Sequence, residues 1–248
     1  MIQLDVHTHS ISSGHGTSST ITDMARAAQK RGLSLLGVSD HGPATLCAGT
    51  SSYFKNLQMA DRIRCGIRLL YGVELNILDT KGHVDLEPDI LNGMDYAIIS
   101  MHAKNITPGS MTENTNAYIN AMKHPSVRII GHCDDVKFPV DYQVLAEAAH
   151  EYHIMMELNN SSIMPGGYRG NTIENNIHML YWCAEYEVPV LLSSDSHGPA
   201  HIGDIKGSET LLEIYKKYLD FPDWLIMSYD MNRFLEYTCL QKYFLNQK

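Results

Sequence analysis

The chain has 248 residues, of which 44% are hydrophobic and 19% charged, a composition typical of a globular protein and unlike a disordered one. A formal net charge of −9 offers no basic face for a phosphate backbone, so no nucleic-acid partner is expected. The five cysteines form no CxxC pair, and no apolar run reaches the roughly 18 residues of a membrane span. We therefore expect a cytoplasmic protein without disulfides, a zinc finger or a membrane anchor.

Seven short apolar runs recur along the chain and have the lengths of buried strands. Segments of helical character separate them, and this alternation predicts parallel strands covered by helices. In chain order the runs are LDVH (4–7), LLGVSDH (35–41), LLYGVEL (69–75), DYAIISMH (95–102), VRIIGH (127–132), HIMMELNN (153–160) and VPVLLSSDSH (188–197).

The intervening segments predict helices with recognisable ends. The first spans 22–31: Thr20 or Thr22 can cap it, alanines favour it, and Gly32 ends it. Further helices are predicted over 141–152, over 172–186 and in the tail after Ser208. We expect this tail to close the sheet.

Polar residues at the strand ends distinguish a barrel from a doubly wound open sheet. Active sites of such barrels lie at the C-terminal ends of the strands. Every predicted strand here ends in polar groups, namely His7 and His9, Asp40 and His41, Glu74, His102, His132, Asn159 and Asn160, and Asp195 and His197. We therefore predict an α/β fold, a distorted TIM-like (βα)7 barrel of parallel strands with a metal site at their C-terminal ends. No linker-like stretch interrupts the chain, so residues 1–248 are predicted to form a single domain.

The strand-end residues are of the types that bind metal ions. His7 and His9 are one residue apart on a strand end, so both rings face the same side and can bind one ion. Imidazole and carboxylate suit zinc, manganese and iron alike. A four-coordinate ion takes at most four protein ligands, so nine candidates indicate two or three divalent ions. The candidates are His7, His9, His15, His41, Glu74, His102, His132, Asp195 and His197.

The order of these motifs resembles the PHP (polymerase and histidinol phosphatase) superfamily, and closely its YcdX-like phosphatase branch. The resemblance spans essentially the whole chain and implies a distorted seven-stranded (βα) barrel with a trinuclear centre, usually described with zinc. The matching motifs are DVHTHS with the following GHG, SDHG (39–42), GVELN (72–76), MH (101–102), GHCD (131–134), ELNNSS (157–162) and SSDSH (193–197).

The resemblance also implies a ligand set for each of three divalent ions, most simply zinc, with manganese or iron as alternatives. Glu74 would bridge the first two ions. The implied sets are His7, His9, Glu74 and Asp195 for the first ion, Glu74, His102 and His132 for the second, and His15, His41 and His197 for the third.

The implied activity is a metal-dependent phosphatase, hydrolysing a phosphoric monoester of a small phosphorylated metabolite. A water that bridges clustered ions would be a hydroxide near neutral pH, since the pKa of zinc-bound water can be about 7, and it is the expected nucleophile. The ions would also bind phosphoryl oxygens and neutralise developing charge. Glu74 and Asp195 are the expected catalytic residues, and Asp195 would also orient the attacking water.

Specificity is expected to come from the loops that follow the strands. Arg169 lies in GGYRGNT, where its planar guanidinium can bind a phosphate or carboxylate near the N-terminus of the next helix. Lys104 is a second substrate-binding candidate, and a surface side chain without such a role is the alternative for both. Asn159 is a third, which orients ligands or loops or is a structural amide. The loops concerned are chiefly 42–56, 103–117 and 161–172.

Two other functions remain open. One is phosphodiesterase or nuclease action, which occurs in the superfamily but which the acidic balance and the lack of a basic module count against. The other is a non-catalytic, metal-binding regulatory protein, which would have a closed and fully coordinated centre. The physiological substrate, the native metal, the oligomeric state (a homo-oligomer included) and the group that protonates the leaving oxygen are not determined by the sequence.

Overall fold

The computed structural model describes residues 1–244, and its sheet contains seven parallel strands in chain order with a short antiparallel strand at one side. The strands are β1 (Leu4–Asp5), β2 (Leu35–Val38), β3 (Ile63–Arg64), β4 (Ile67–Asn76), β5 (Tyr96–Ser100), β6 (Val127–Ile130), β7 (Met155–Asn159) and β8 (Val190–Ser193). Their hydrogen-bonded order is β1-β2-β4-β5-β6-β7-β8, and β3 pairs with β4.

Each of the seven predicted runs overlaps one of the parallel strands, so the predicted fold class is confirmed. Most strands end before the predicted run does, because the polar residues that follow leave the regular ladder. Only isolated parallel bridges continue the pairing there, between Thr8 and Ser196 and between His41 and Glu74. The strand ends thus become loops that can direct side chains across the mouth of the barrel.

The seam between β1 and β8 is closed by individual hydrogen bonds. Ser228, from the C-terminal tail, bridges the two strands: its carbonyl accepts from Gln3 N at 2.8 Å, and its hydroxyl donates to Leu192 O at 2.7 Å. Farther along the seam, the carboxylate of Asp5 accepts a hydrogen bond from the Ser194 hydroxyl at 2.6 Å. The sheet is therefore a nearly closed barrel.

Five of the nine helices of residues 1–244 begin at a residue whose side chain caps the helix. Thr20 caps α1 in a reciprocal capping box with Asp23, and Asp141 caps α5. No helix of residues 1–244 is both long and apolar enough to cross a membrane. The helices are α1 (Ile21–Lys30), α2 (Ser51–Leu57), α3 (Pro88–Leu91), α4 (Met111–Met122), α5 (Tyr142–Glu151), α6 (Asn160–Ile163), α7 (Ile173–Glu185), α8 (Lys206–Lys216) and α9 (Met231–Tyr237).

The C-terminal tail differs from its predicted helical form. After α8 ends at Lys216, the chain continues as short 3-10 turns and the two-turn helix α9. Pro222 cannot continue a helix, and Asp230 starts a new one by capping α9. The last four residues, 245–248, lie outside the described range, so a single domain over 1–248 stays a prediction.

The tail closes the barrel at the N-terminal ends of the strands. Four of its side chains, Met227, Phe234, Leu235 and Leu240, are buried against the inward-facing residues of the strands; we call these four the C-terminal plug. Above it the ring of Tyr96 fills the barrel, lying where a Cβ at Gly37 or Gly72 would be, which explains glycine at both positions. A second, larger apolar cluster lies between the sheet and the surrounding helices.

Candidate metal centre

The opposite end of the barrel brings all nine candidate ligands together. Each comes from the C-terminal end of a parallel strand or from the loop behind it, and all but His15 are largely buried. Among residues 1–244, four groups of three have ligand atoms within 4.8 Å of one another. They are His9–His41–His197, His7–His9–Asp195, His7–Glu74–His132 and His41–Glu74–His102.

Glu74 lies at the centre of this cluster, with its two carboxylate oxygens facing different histidines. Oε1 is 2.8 Å from Nε2 of His132 and 3.3 Å from Nε2 of His102. Oε2 is 2.6 Å from Nδ1 of His41 and 3.5 Å from Nε2 of His7. A carboxylate placed in this way can bind a different ion through each oxygen.

Asp195 faces the His7 and His9 side of the cluster. Its Oδ1 is 3.2 Å from Nε2 of His9 and 3.7 Å from Nε2 of His7. The HxH pair behaves as the strand alternation predicts, because both rings point to the same carboxylates. These three residues, together with the Oε2 side of Glu74, are the set that the resemblance implies for a first ion.

His15 returns to the cluster by way of a short 3-10 turn over Ile11–Ser13. Its ring centroid is 4.9 Å from that of His41 and 5.0 Å from that of His197. His15 belongs to none of the four compact groups of residues 1–244. In the group that contains His41 and His197, the third residue is His9 rather than His15. The segment from Ser10 therefore bends back over the mouth of the barrel and leaves His15 exposed at its rim.

Unpartnered polar atoms test whether this cluster suits metal ions. Ten buried side-chain nitrogens or oxygens of residues 1–244 lack a partner at hydrogen-bonding geometry, although two of them, His41 Nδ1 and Glu74 Oε2, lie only 2.6 Å apart. Seven of the ten belong to candidate ligands. Burying so many polar atoms without partners is costly unless something else coordinates them. The seven are His7 Nε2, His9 Nε2, His41 Nδ1, Glu74 Oε2, His102 Nε2, His132 Nδ1 and His197 Nε2. The donor set fits divalent ions such as zinc.

The electrostatics of the cluster divide the histidines into two kinds. Burial opposes the charged form of His7, but the carboxylates of Glu157, Asp195 and Glu74 raise its pKa well above the usual value. Burial lowers the pKa of His102 to about 4. Burial would raise the pKa of Glu74, but the facing histidines lower it well below its usual range. The carboxylate is thus ionised at neutral pH and available as a ligand.

Comparison with known proteins gives the family. A family model described as the PHP domain matches residues 5–163, more than half of the chain. The chain belongs to the PHP family. A probable phosphatase of Clostridium novyi is 36% identical over 234 residues, covering 94% of this chain and 93% of that protein. A probable phosphatase of Thermoanaerobacter sp. (strain X514) is 38% identical over 235 residues, with the same coverage.

A solved structure supports the fold of this PHP barrel. It is histidinol phosphate phosphatase from Lactococcus lactis, which contains zinc, L-histidinol and phosphate. The match has a TM-score of 0.63 and covers 86% of this chain and 93% of that one, at 16% identity. The family model and the two probable phosphatases confirm the predicted family and the predicted enzyme class, a phosphatase.

Two candidate ligands of the PHP site have an unusual backbone conformation. His132 has a φ of 21° and Asp195 a φ of 52°, a region that favours glycine. Such strain persists only where surrounding contacts hold it. At His132 the backbone N–H donates to Glu157 Oε2 at 2.7 Å. At Asp195 the side chain accepts from Arg169 Nη2 at 2.9 Å and from Asn159 Nδ2 at 3.2 Å.

Several residues that contact the candidate ligands were not predicted as site residues. The Nδ1 atom of His9 lies 2.8 Å from the hydroxyl of Ser13, which in turn donates to Asp40. The Nδ1 atom of His102 lies 2.7 Å from Asn76 Oδ1. The Nδ1 atom of His7 lies 2.6 Å from Glu157 Oε1. The position of Glu157 could have been found, because it lies two residues before Asn159 and therefore on the same face of β7.

The three predicted substrate-binding residues have different places in the structure. Arg169 is only 3% exposed, so the alternative of a surface arginine is wrong; its guanidinium contacts Asp195, Asn159 and Ser162. Asn159 is buried, caps α6 and contacts Asp195. Lys104 is exposed in the loop after β5. Substrate binding by any of them stays a prediction.

Proposed function

We propose that the chain hydrolyses phosphoric monoesters of small metabolites at a trinuclear divalent-metal centre in the mouth of its barrel. The observation that carries this proposal is the convergence of the candidate ligands on Glu74, together with the buried nitrogen or oxygen without a hydrogen-bond partner that seven of the nine candidates carry. So dense a set of nitrogen and carboxylate donors exceeds the three or four that one catalytic zinc ion needs. Its place at the C-terminal strand ends is where barrels of this kind carry out chemistry.

The proposed ligand sets are those implied by the resemblance. Of the four compact groups among residues 1–244, His7–His9–Asp195 lies within one set, and the other three join residues of different sets. Glu74 would bridge, with His7, His9 and Asp195 on one side and His102 and His132 on the other. His41 and His197, with His15 at the rim, would hold a third ion. Bound zinc, manganese or iron would supply an activated water and offset charge on the phosphoryl oxygens.

The chain itself would position the substrate and the reacting groups. Asp195 would orient the attacking water, and Arg169 would hold Asp195 in place through the contact at 2.9 Å. Lys104, exposed beside the mouth, would attract an anionic substrate. Asn159 would bind substrate less directly, by holding the Asp195 carboxylate. The loops 42–56, 103–117 and 161–172 would select the rest of the metabolite.

The test begins with elemental analysis of the purified protein, followed by turnover of an aryl phosphate and of a panel of phosphorylated metabolites. Glu74→Ala and His15→Ala variants would be assayed beside His201→Ala, a histidine that is 75% exposed and outside the cluster. We expect bound divalent metal, strong loss of turnover in the first variant, a clear loss in the second and none in the control. Undiminished turnover in both cluster variants, or a parent protein without divalent metal, would contradict the proposal.

Comparing a monoester with a diester separates the remaining candidates. The chain has 28 acidic against 19 basic residues, a balance that disfavours binding of a nucleic-acid backbone. We therefore expect the monoester to have the higher kcat/KM. Preference for a diester would favour the phosphodiesterase hypothesis, and metal binding without turnover of either would favour a regulatory protein.

A further inference from the structure

Glu157 is a fully buried carboxylate in the middle of β7, and four hydrogen-bond donors surround it. Oε1 faces Nδ1 of His7 at 2.6 Å and accepts from the hydroxyl of Ser193. Oε2 accepts from the backbone N–H of His132 at 2.7 Å and from Nδ2 of Asn159 at 3.1 Å. One side chain therefore joins two candidate ligands that the proposed function assigns to different ions.

We propose that Glu157 is a positioning residue that fixes the tautomer of His7 and couples the first and second metal positions. A carboxylate oxygen only accepts, so its contact with Nδ1 keeps the His7 proton on that atom. Nε2, which is unpartnered and faces Glu74 and Asp195, is then the ring nitrogen that a metal ion can bind. This inference rests on the proposed metal centre.

The second oxygen acts on the strained backbone of His132. Its N–H bond to Glu157 holds a φ of 21°, and the ring of the same residue reaches Glu74. Loss of this bond would release the conformation that presents the ring. Glu157 thereby links the geometry of two ligands without binding either ion.

A Glu157→Gln substitution separates the two effects because an amide has one acceptor and one donor end. The backbone N–H of His132 can only donate, so the amide oxygen should keep that side. The amide NH2 then faces His7, whose Nδ1 can accept only if its proton moves to Nε2. We expect this variant to lose the availability of Nε2 while keeping the backbone of His132.

The matched control is Ser193→Ala. It removes another donor to the same Glu157 oxygen but contacts no candidate ligand through that hydroxyl. If Glu157 were merely structural, both variants would lose metal to a similar extent. If it sets the His7 tautomer, only Glu157→Gln should lose metal.

The experiment measures zinc retained per chain by elemental analysis after equilibration with a graded chelator. We expect Glu157→Gln to bind its weakest-held zinc at least about tenfold less tightly than the parent, and Ser193→Ala to match the parent. Equal retention in all three proteins would overturn this inference and leave the proposed function standing. A parent that binds no zinc would overturn both.

A spectroscopic measurement on the zinc-loaded parent covers the case in which the variant does not fold. Nitrogen-detected NMR of the histidine rings should show the proton of His7 on Nδ1 and coordination through Nε2. Coordination through Nδ1, with the proton on Nε2, would overturn the inference directly.

Discussion

The two ends of the barrel are built from opposite kinds of side chain. At the N-terminal end, the C-terminal plug packs apolar groups such as Phe234 against the strands. These side chains are buried and need no hydrogen-bond partner. At the C-terminal end, buried imidazoles and carboxylates face one another and leave seven ligand atoms without hydrogen-bond partners. The first arrangement stabilises the fold, whereas the second costs stability in the absence of a ligand. Stability and function are thus separated along the barrel axis.

This separation is tested most strongly by Glu74→Gln at the mouth. The substitution keeps the shape of the side chain but removes the charge that both sides of the cluster share. We expect kcat/KM for an aryl phosphate to fall on the order of 10⁴-fold, because the proposed bridging ligand is lost. Steady-state kinetics would measure this, with circular dichroism confirming the parental fold. A loss below about tenfold would remove Glu74 from the centre of the site.

Phe234→Ala at the opposite end should produce the reverse result. The ring is fully buried in the plug, so truncation should lower the free energy of unfolding by about 3–5 kcal/mol. Urea denaturation would measure the change. Under conditions where the variant is folded, kcat/KM should remain within about twofold of the parent. A large loss of turnover in the folded variant would show that the two ends are not independent.

The pH dependence of metal binding sharpens the comparison further. Because carboxylates raise the pKa of His7 well above 6.5, both ring nitrogens are protonated in the metal-free protein at neutral pH. A metal ion that binds Nε2 must therefore displace the proton on that atom. Zinc affinity should therefore fall about tenfold per pH unit for each displaced proton as the pH drops from 7 to 6. Calorimetry in buffers of different ionisation enthalpy would count the protons released. A binding enthalpy independent of the buffer would contradict this assignment.

The smallest effect is expected from a histidine outside both ends. His83 is 70% exposed and contacts only Asp79 at the surface among the described ion pairs. His83→Ala should change the free energy of unfolding by no more than about 0.5 kcal/mol and leave zinc content and turnover unchanged. Loss of zinc in this variant would mean that the site extends beyond the mouth.

The sequence predicted the fold and the nine candidate ligands because both follow from local rules. Short apolar runs with helices between them require a parallel sheet, and parallel strands place their C-terminal ends at one side. The HxH spacing of His7 and His9 needs nothing beyond the alternation of a strand. Each of these features can be read within a few residues.

The remainder depended on contacts between distant segments. The alternation of β7 could have placed Glu157 on the face of Asn159, but its contacts with His7 and His132 join residues 150 and 25 positions away and follow only from the folded structure. The tail after Ser208 was predicted to be helical, and it is so up to Lys216, beyond which short turns and α9 cover the N-terminal end of the barrel. Arg169 belongs to a glycine-rich loop that suggests exposure, but its pairing with Asp195 buries it.

The seam between the first and last strands has a consequence for the order in which the protein matures. Chains are synthesised from the N-terminus, so His7 and His9 emerge long before Asp195, and before the Ser228 that ties the seam together. A partly made chain therefore cannot assemble the complete ligand set. Capture of the proposed ions by the full ligand set would have to wait at least until His197 has emerged, which would make metal loading a late event in the life of this molecule.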